Sequence, residues 1–62
     1  MTEAATITFR DVSTEDEGIA IVRYDANSVA LGLSLKEDGD IEVVMTKVDA
    51  KKLVAALNKA LF

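Results

Sequence analysis

The chain has 62 residues, half of them hydrophobic, a formal net charge of −4, and neither cysteine nor histidine. These absences exclude disulfides, thiolate metal sites and the commonest zinc ligand and general base, so we expect no catalytic residue, no metal site and no cofactor. A core of this size is marginal, and a small domain without disulfide or metal is commonly stabilised by a partner subunit. We therefore expect a homodimer.

The charge distribution also bears on partners and location. Acidic residues concentrate at positions 15–17 and 37–42. An acidic balance of this kind argues against broad binding to a phosphate backbone. The first residues lack the basic and apolar segments of a signal peptide, and no stretch approaches the roughly 20 apolar residues of a membrane span. We expect a cytoplasmic protein with no membrane partner.

No arrangement of residues indicates a catalytic or ligand-binding motif. The serines have no histidine to activate them, and the glycines form no phosphate-binding loop. The acidic run at 37–42 lacks the ligand alternation of an EF-hand, and a hairpin turn explains it. We expect a protein that is not an enzyme.

Four strands and one helix are predicted in chain order. Alternating apolar and polar residues predict strands at residues 5–12, 19–24, 28–36 and 40–45. Thr46 followed by Asp49 predicts a helix N-cap, and apolar residues from Ala50 to Leu61 recur at helical spacing. The expected fold is a single α+β domain over residues 1–62: a four-stranded antiparallel meander with the C-terminal amphipathic helix packed on one face (ββββα).

The third predicted strand has two unlike faces. Large aliphatic residues occupy odd positions 29–35, and small residues occupy even positions 30–34. Because side chains alternate across a strand, one face is a wall of aliphatics and the other is nearly bare. A bare face lets a second sheet, another backbone or a flat ligand approach closely, so we interpret it as a contact surface.

Turn chemistry predicts the register of the last hairpin. A three-residue loop at 37–39 places Gly39 in the left-handed conformation that such a loop requires at its last position. That loop pairs Leu35 with Ile41, and Lys36 with Asp40 at the mouth of the hairpin. Hydrophobic matching favours the same register.

The register of the preceding hairpin is less constrained. A three-residue loop at 25–27, ending in a left-handed asparagine, would pair Ile21 with Leu31. An even-numbered loop would exchange the two faces of the second strand and turn Val22 and Tyr24 inward. In either register a set of apolar side chains lies on the face that one helix cannot cover.

The favoured odd-numbered loops define a core and a candidate interface. The expected core contains Ile7, Phe9, Ile19, Ile21, Leu31, Leu33, Ile41, Val43, Leu53 and Leu57. The candidate interface on the outer face is formed by Ala20, Val22, Tyr24, Ala30, Gly32 and Val44. The sequence favours a non-enzymatic homodimeric interaction module that binds a protein partner, with sheets stacked through this interface or edge strands paired. Compact acidic chains of this size are common among bacterial and phage accessory proteins.

An alternative function comes from a resemblance. The order of four strands and one helix, with the joint at residues 43–49 leading to Leu53 and Leu57, resembles the single-stranded-DNA-binding domain of the PC4-type transcriptional coactivators. The resemblance covers about the last third of the chain and implies binding of single-stranded nucleic acid. Such domains use basic and aromatic residues on the sheet. The outer face here offers Thr6, Thr8, Arg10 and at most Tyr24.

Overall fold

A computed structural model describes all residues, 1–62, as one open sheet followed by one helix. The elements are β1 (Thr2–Arg10), β2 (Glu17–Tyr24), β3 (Ser28–Leu35), β4 (Gly39–Thr46) and α1 (Lys47–Leu61). The strand order is β1-β2-β3-β4, and every neighbouring pair is antiparallel. The predicted ββββα class and meander topology are confirmed.

The turn between β2 and β3 decides which side chains share a face of the sheet. Tyr24 pairs with Val29, so four residues separate the paired positions, and the favoured three-residue loop is wrong. The even-numbered alternative is the one observed. The Asp25 carboxylate fixes this longer turn because it accepts hydrogen bonds from the Asn27 N–H at 2.9 Å and from the Ser28 N–H and hydroxyl at 2.8 Å.

The loop between β3 and β4 has three residues, as expected, but it lies one residue earlier in the chain than expected. Leu35 pairs with Gly39, so the loop comprises residues 36–38 and the register is shifted by two residues from the expected one. Gly39 has the expected left-handed conformation, with φ of +88°. The expected pairing of Lys36 with Asp40 is wrong: Ser34 faces Asp40 and its hydroxyl donates to that carboxylate at 2.9 Å.

Together the three registers give the sheet two chemically distinct faces, since paired residues on neighbouring strands point to the same side. The first, called here the apolar face, carries Ala5, Ile7, Phe9, Ala20, Val22, Tyr24, Val29, Leu31, Leu33, Leu35, Ile41, Val43 and Met45. The second, called here the mixed face, carries Thr6, Thr8, Arg10, Glu17, Ile19, Ile21, Arg23, Ser28, Ala30, Gly32, Ser34, Asp40, Glu42, Val44 and Thr46.

The six residues of the sequence-based candidate interface do not lie on one face. The four-residue turn after Tyr24 turns the β2 members to the side opposite the β3 and β4 members. A one-residue change of register moves a whole strand's side chains to the other face, which is why the single expected surface is split. Ala20, Val22 and Tyr24 belong to the apolar face, and Ala30, Gly32 and Val44 belong to the mixed face.

The helix begins as predicted but lies against the sheet only in part. Thr46 is the N-cap, and its hydroxyl accepts a hydrogen bond from the Asp49 N–H at 3.2 Å. The backbone of α1 approaches only β3 and β4, and none of its residues is buried. Exposure rises along the apolar stripe, from 39% at Leu53 to 54% at Leu57 and 73% at Leu61. Neither the length nor the hydropathy of α1 would let it cross a membrane.

The expected core is not closed within the chain. The buried residues are Gly18 and Ala30, of which Ala30 is 2% exposed. Of the ten residues expected in the core, Ile21 and Leu31 are half-buried and the other eight are exposed, so that prediction is wrong for the single chain. One physical reason is that α1 leaves most of the apolar face uncovered. The other is that the four-residue turn places Ile19 and Ile21, which were expected on the core face, on the mixed face.

The whole molecule is accordingly less compact than its size allows. The accessible surface is 4937 Å² for a mass of 6.7 kDa, whereas a compact monomer of this mass exposes about 3,900 Å². The radius of gyration is 12.5 Å, against about 10.6 Å for a compact domain of the same length. Roughly 1,000 Å² of surface is therefore exposed in excess of what a compact monomer shows.

Two strand glycines provide a first test of this packing. Phe9 pairs with Gly18 and its ring covers the glycine, so a Cβ there would lie 2.6 Å from Cε2 of the ring. We expect Gly18→Ala to lower the free energy of unfolding by about 1–3 kcal/mol, because the ring must move. Gly32→Ala is the matched control: its Cβ meets nothing closer than 3.6 Å. If chemical denaturation gave the same decrease in the free energy of unfolding for both variants, this packing would be contradicted.

Candidate interaction surface

The apolar face of the sheet is largely uncovered. It has no charged side chain, and its exposed members come from β1, β2, β3 and β4. Leu33, at its centre, is 41% exposed, and Ile41 on the neighbouring strand is 62% exposed. A contiguous apolar surface of this kind on a small chain is a candidate site of association.

A second uncovered apolar surface runs along α1. Val54, Leu57 and Leu61 lie on one side of the helix at spacings of three and four residues, and all are more than half exposed. An amphipathic helix in a folded protein normally buries this stripe, since burial of apolar surface provides most of its stability. The chain therefore presents two apolar surfaces, one on the sheet and one on the helix, that do not cover each other.

Charge separates the sheet from the helix. Residues 1–46 contain ten acidic and three basic side chains, a net charge of −7, whereas residues 47–62 contain four lysines and Asp49, a net charge of +3. The two acidic loops meet at one end of the sheet, where the Asp16 carboxylate accepts a hydrogen bond from the Glu37 N–H at 2.8 Å. The helix starts from the opposite end, after Thr46 pairs with Ser28.

The small residues of β3 have a role that the sequence did not indicate. On the mixed face, Arg23 of β2 reaches over β3 to Glu42 of β4, and the guanidinium Nη1 lies 3.2 Å from Oε2. The Glu42 carboxylate lies over Gly32, where an ideal Cβ would be 3.6 Å from the same oxygen, at ordinary contact distance. The bare strand face is thus partly covered by an ion pair of the chain's own residues.

The residues that would contact a nucleic acid are divided between the faces. Thr6, Thr8 and Arg10 lie on the mixed face, whereas Tyr24 lies on the apolar face. The Lys47 ammonium stands 5.7 Å from the centre of the Tyr24 ring, a cation–π contact within the chain. The sheet therefore does not combine an aromatic platform with a basic groove, which is the arrangement that single-stranded nucleic acid requires.

Two aspartates with a lowered pKa act in turns. Hydrogen bonds from the Ser13 hydroxyl, the Ser13 N–H and the Thr14 N–H lower the pKa of the Asp11 carboxyl. Hydrogen bonds from Asn27 and from the side chain and backbone of Ser28 lower the pKa of Asp25 in the same way. The short spacing from each aspartate to its serine was a signal for these turns in the sequence.

The structure shows no site of metal-ligand type: no three acidic side chains come together in a group that could hold a metal ion. A depression of about 700 Å³ is open to solvent and lies beside the acidic loops, with Arg10, Glu17, Ser34 and Lys36 among its lining residues. No family model, curated protein or solved structure matches the chain. The functional candidates are therefore the two faces of the sheet and the stripe of α1.

The turn aspartates predict a pH dependence of stability. Because their pKa values are lowered in the folded chain, their stabilising contribution is present above the pKa of an unfolded aspartate. It is lost as pH falls from that value through the lowered one. A carbon-13 NMR titration should therefore find the pKa values of Asp11 and Asp25 below that of an ordinary aspartate. Asp25→Asn keeps an acceptor oxygen but does not titrate. It should therefore remove the contribution of Asp25 to the loss of folding stability at low pH. An ordinary pKa at Asp25 would contradict this turn geometry.

Proposed function

We propose that this chain is a non-enzymatic interaction module that forms a homodimer and binds a protein partner, with the cytoplasm as its expected location. The observation that supports association is the uncovered apolar face, in a chain that has no disulfide to stabilise a small core. A second copy is the simplest occupant, because a two-fold dimer uses the same surface on both subunits and covers both at once.

The area of uncovered surface supports a stable dimer. A standard protein–protein interface buries about 800 Å² on each partner, and obligate homodimers bury 1,000 Å² or more on each. The excess surface of this chain, roughly 1,000 Å² relative to a compact monomer, is of that size. Covering it would bring the surface per chain to the value that its mass predicts.

The mixed face supports the second part of the proposal, binding of a protein partner. Once the apolar face is covered, Ile19 and Val44 are the large apolar side chains that remain exposed on the sheet. They lie among threonine, arginine and carboxylate side chains. Ile19 lies on β2 beside Ser34, and Val44 lies on the edge strand β4 beside Ala30, so the two are separate apolar contacts on a polar face. Interfaces that are not obligate are about as polar as the rest of a protein surface, which is the character of the mixed face.

Single-stranded nucleic acid is the weaker alternative, because the separation of Tyr24 from Arg10 removes its structural basis. The surface of the sheet and its loops is also acidic, which opposes phosphate binding. A titration with single-stranded oligonucleotides at low salt should show no binding with a steep salt dependence.

Two residues of β4 with matched exposure test the proposed interface. Ile41 is 62% exposed on the apolar face, and Val44 is 60% exposed on the mixed face. Light scattering across a dilution series should find a dimer for the unmodified chain and for Val44→Lys. Ile41→Lys should be monomeric at the same concentrations, because its ammonium would be buried in the partner.

The same pair separates dimerisation from partner binding. Val44→Lys should keep the mass of the dimer. It should no longer capture the protein partner that the unmodified chain binds from the source cell. The same loss of binding should be seen when that partner is purified. A monomer at several hundred micromolar unmodified chain would overturn the homodimer. A dimer that is lost in Val44→Lys and kept in Ile41→Lys would move the interface to the mixed face.

A further inference from the structure

We propose that the apolar face of each sheet is covered by α1 of a second copy, so that two chains exchange their helices reciprocally. This inference rests on the homodimer proposed above and names the part of the partner that occupies the surface. It starts from two uncovered apolar surfaces in one chain, the sheet face around Leu33 and Ile41 and the helix stripe around Leu57.

Coverage favours the exchange over the other symmetric arrangements. Stacking two sheets through their apolar faces would leave both helix stripes in water, and pairing two helices would leave both sheet faces in water. In a reciprocal exchange, each helix stripe meets the partner's sheet, and the two-fold axis repeats the contact. One symmetric contact then covers all four exposed apolar surfaces.

Charge favours the same arrangement independently. The sheet with its loops carries a net charge of −7 and the helix segment carries +3. Sheet stacking would bring two negative bodies together, and helix pairing would bring two positive ones together. Exchange places Lys51, Lys52 and Lys59 next to a sheet with acidic loops, and complementary charges stabilise and orient an interface.

The dimensions of the two surfaces agree with this contact. The 15 residues of α1 span about 22 Å at the rise of an α-helix. Strands of eight residues, such as β3 and β4, span about 26 Å. Because Val54, Leu57 and Leu61 are each more than half exposed, a partner's sheet can contact them without displacing residues of their own chain.

Isotope-filtered NMR on the full chain tests the exchange directly. In a mixture of carbon-13-labelled and unlabelled chains, we expect intermolecular nuclear Overhauser effects between methyl groups of Leu57 or Leu61 and those of Ile7, Leu33 or Ile41. Intermolecular effects confined to sheet–sheet or to helix–helix methyl pairs would overturn the exchange and leave the homodimer intact. A monomer at NMR concentration would overturn both proposals.

A matched pair of helix variants provides a second test. Leu57→Glu should raise the dissociation constant of the dimer by at least about tenfold, because its carboxylate would be buried on the partner's sheet. Asn58→Glu makes the same change in charge beside the stripe and should stay within about threefold of the unmodified chain. Equal effects of the two variants would show that the stripe is not in the interface and would overturn the exchange.

The direction in which salt changes the dissociation constant of the dimer distinguishes the exchange from sheet stacking. Because the exchange joins surfaces of opposite charge, raising sodium chloride from about 50 to 500 mM should weaken the dimer several-fold. A dimer that tightens over the same range would indicate contact between like charges and would overturn the exchange. Sedimentation equilibrium at each salt concentration measures the dissociation constant of the dimer.

Discussion

The structure depends on one constraint: a four-stranded sheet has two faces, and the single helix that follows it covers neither completely. The side chains of the apolar face are all uncharged, and Ile7, Phe9, Leu33, Ile41 and Val43 remain exposed there. Full burial of one such side chain contributes about 1.5–3 kcal/mol. A chain of 62 residues has a net stability of only about 3–9 kcal/mol. These five residues are 37–62% exposed, so a substantial part of this stabilisation is not realised within one chain, and this is the basis for the proposed association.

A polar side chain in a turn determines which residues contribute to that face. Asp25 binds the backbone and hydroxyl of Ser28 and so holds a four-residue turn, which places Val22 and Tyr24 on the same side as Leu31. With one residue fewer in the turn, every β2 side chain would lie on the face opposite to its present one. Each face of the sheet would then carry both apolar and charged residues. The absence of charged side chains from the apolar face thus depends on this turn, which the Asp25 carboxylate stabilises.

Local features of the fold were predictable from the sequence, because they depend on neighbours along the chain. The four strands, the N-cap at Thr46 and the left-handed Gly39 were each predicted from residues within a few positions. The length of the β2–β3 turn was left open: the odd-numbered loop was favoured, and the even-numbered alternative is observed. Backbone preference at Asn27 and the side-chain bonds of Asp25 favour different loop lengths, and the second effect prevailed.

Burial and the candidate site were less predictable, for a different physical reason. An amphipathic pattern shows which side chains favour burial but not which surface covers them, so the expected core included Leu53 and Leu57, which are exposed. The Arg23–Glu42 ion pair spans three strands and depends on two registers at once. No pattern within a single strand could have located it.

Thermal unfolding across a dilution series tests most directly whether the apolar face requires a second copy. When folding is coupled to association, the unfolding midpoint rises with chain concentration. From about 1 to 500 µM chain, the midpoint should rise by several degrees or more, with a single cooperative transition at each concentration. A midpoint that stays constant over this range, at the mass of a monomer, would show that the chain is stable with its apolar face in water.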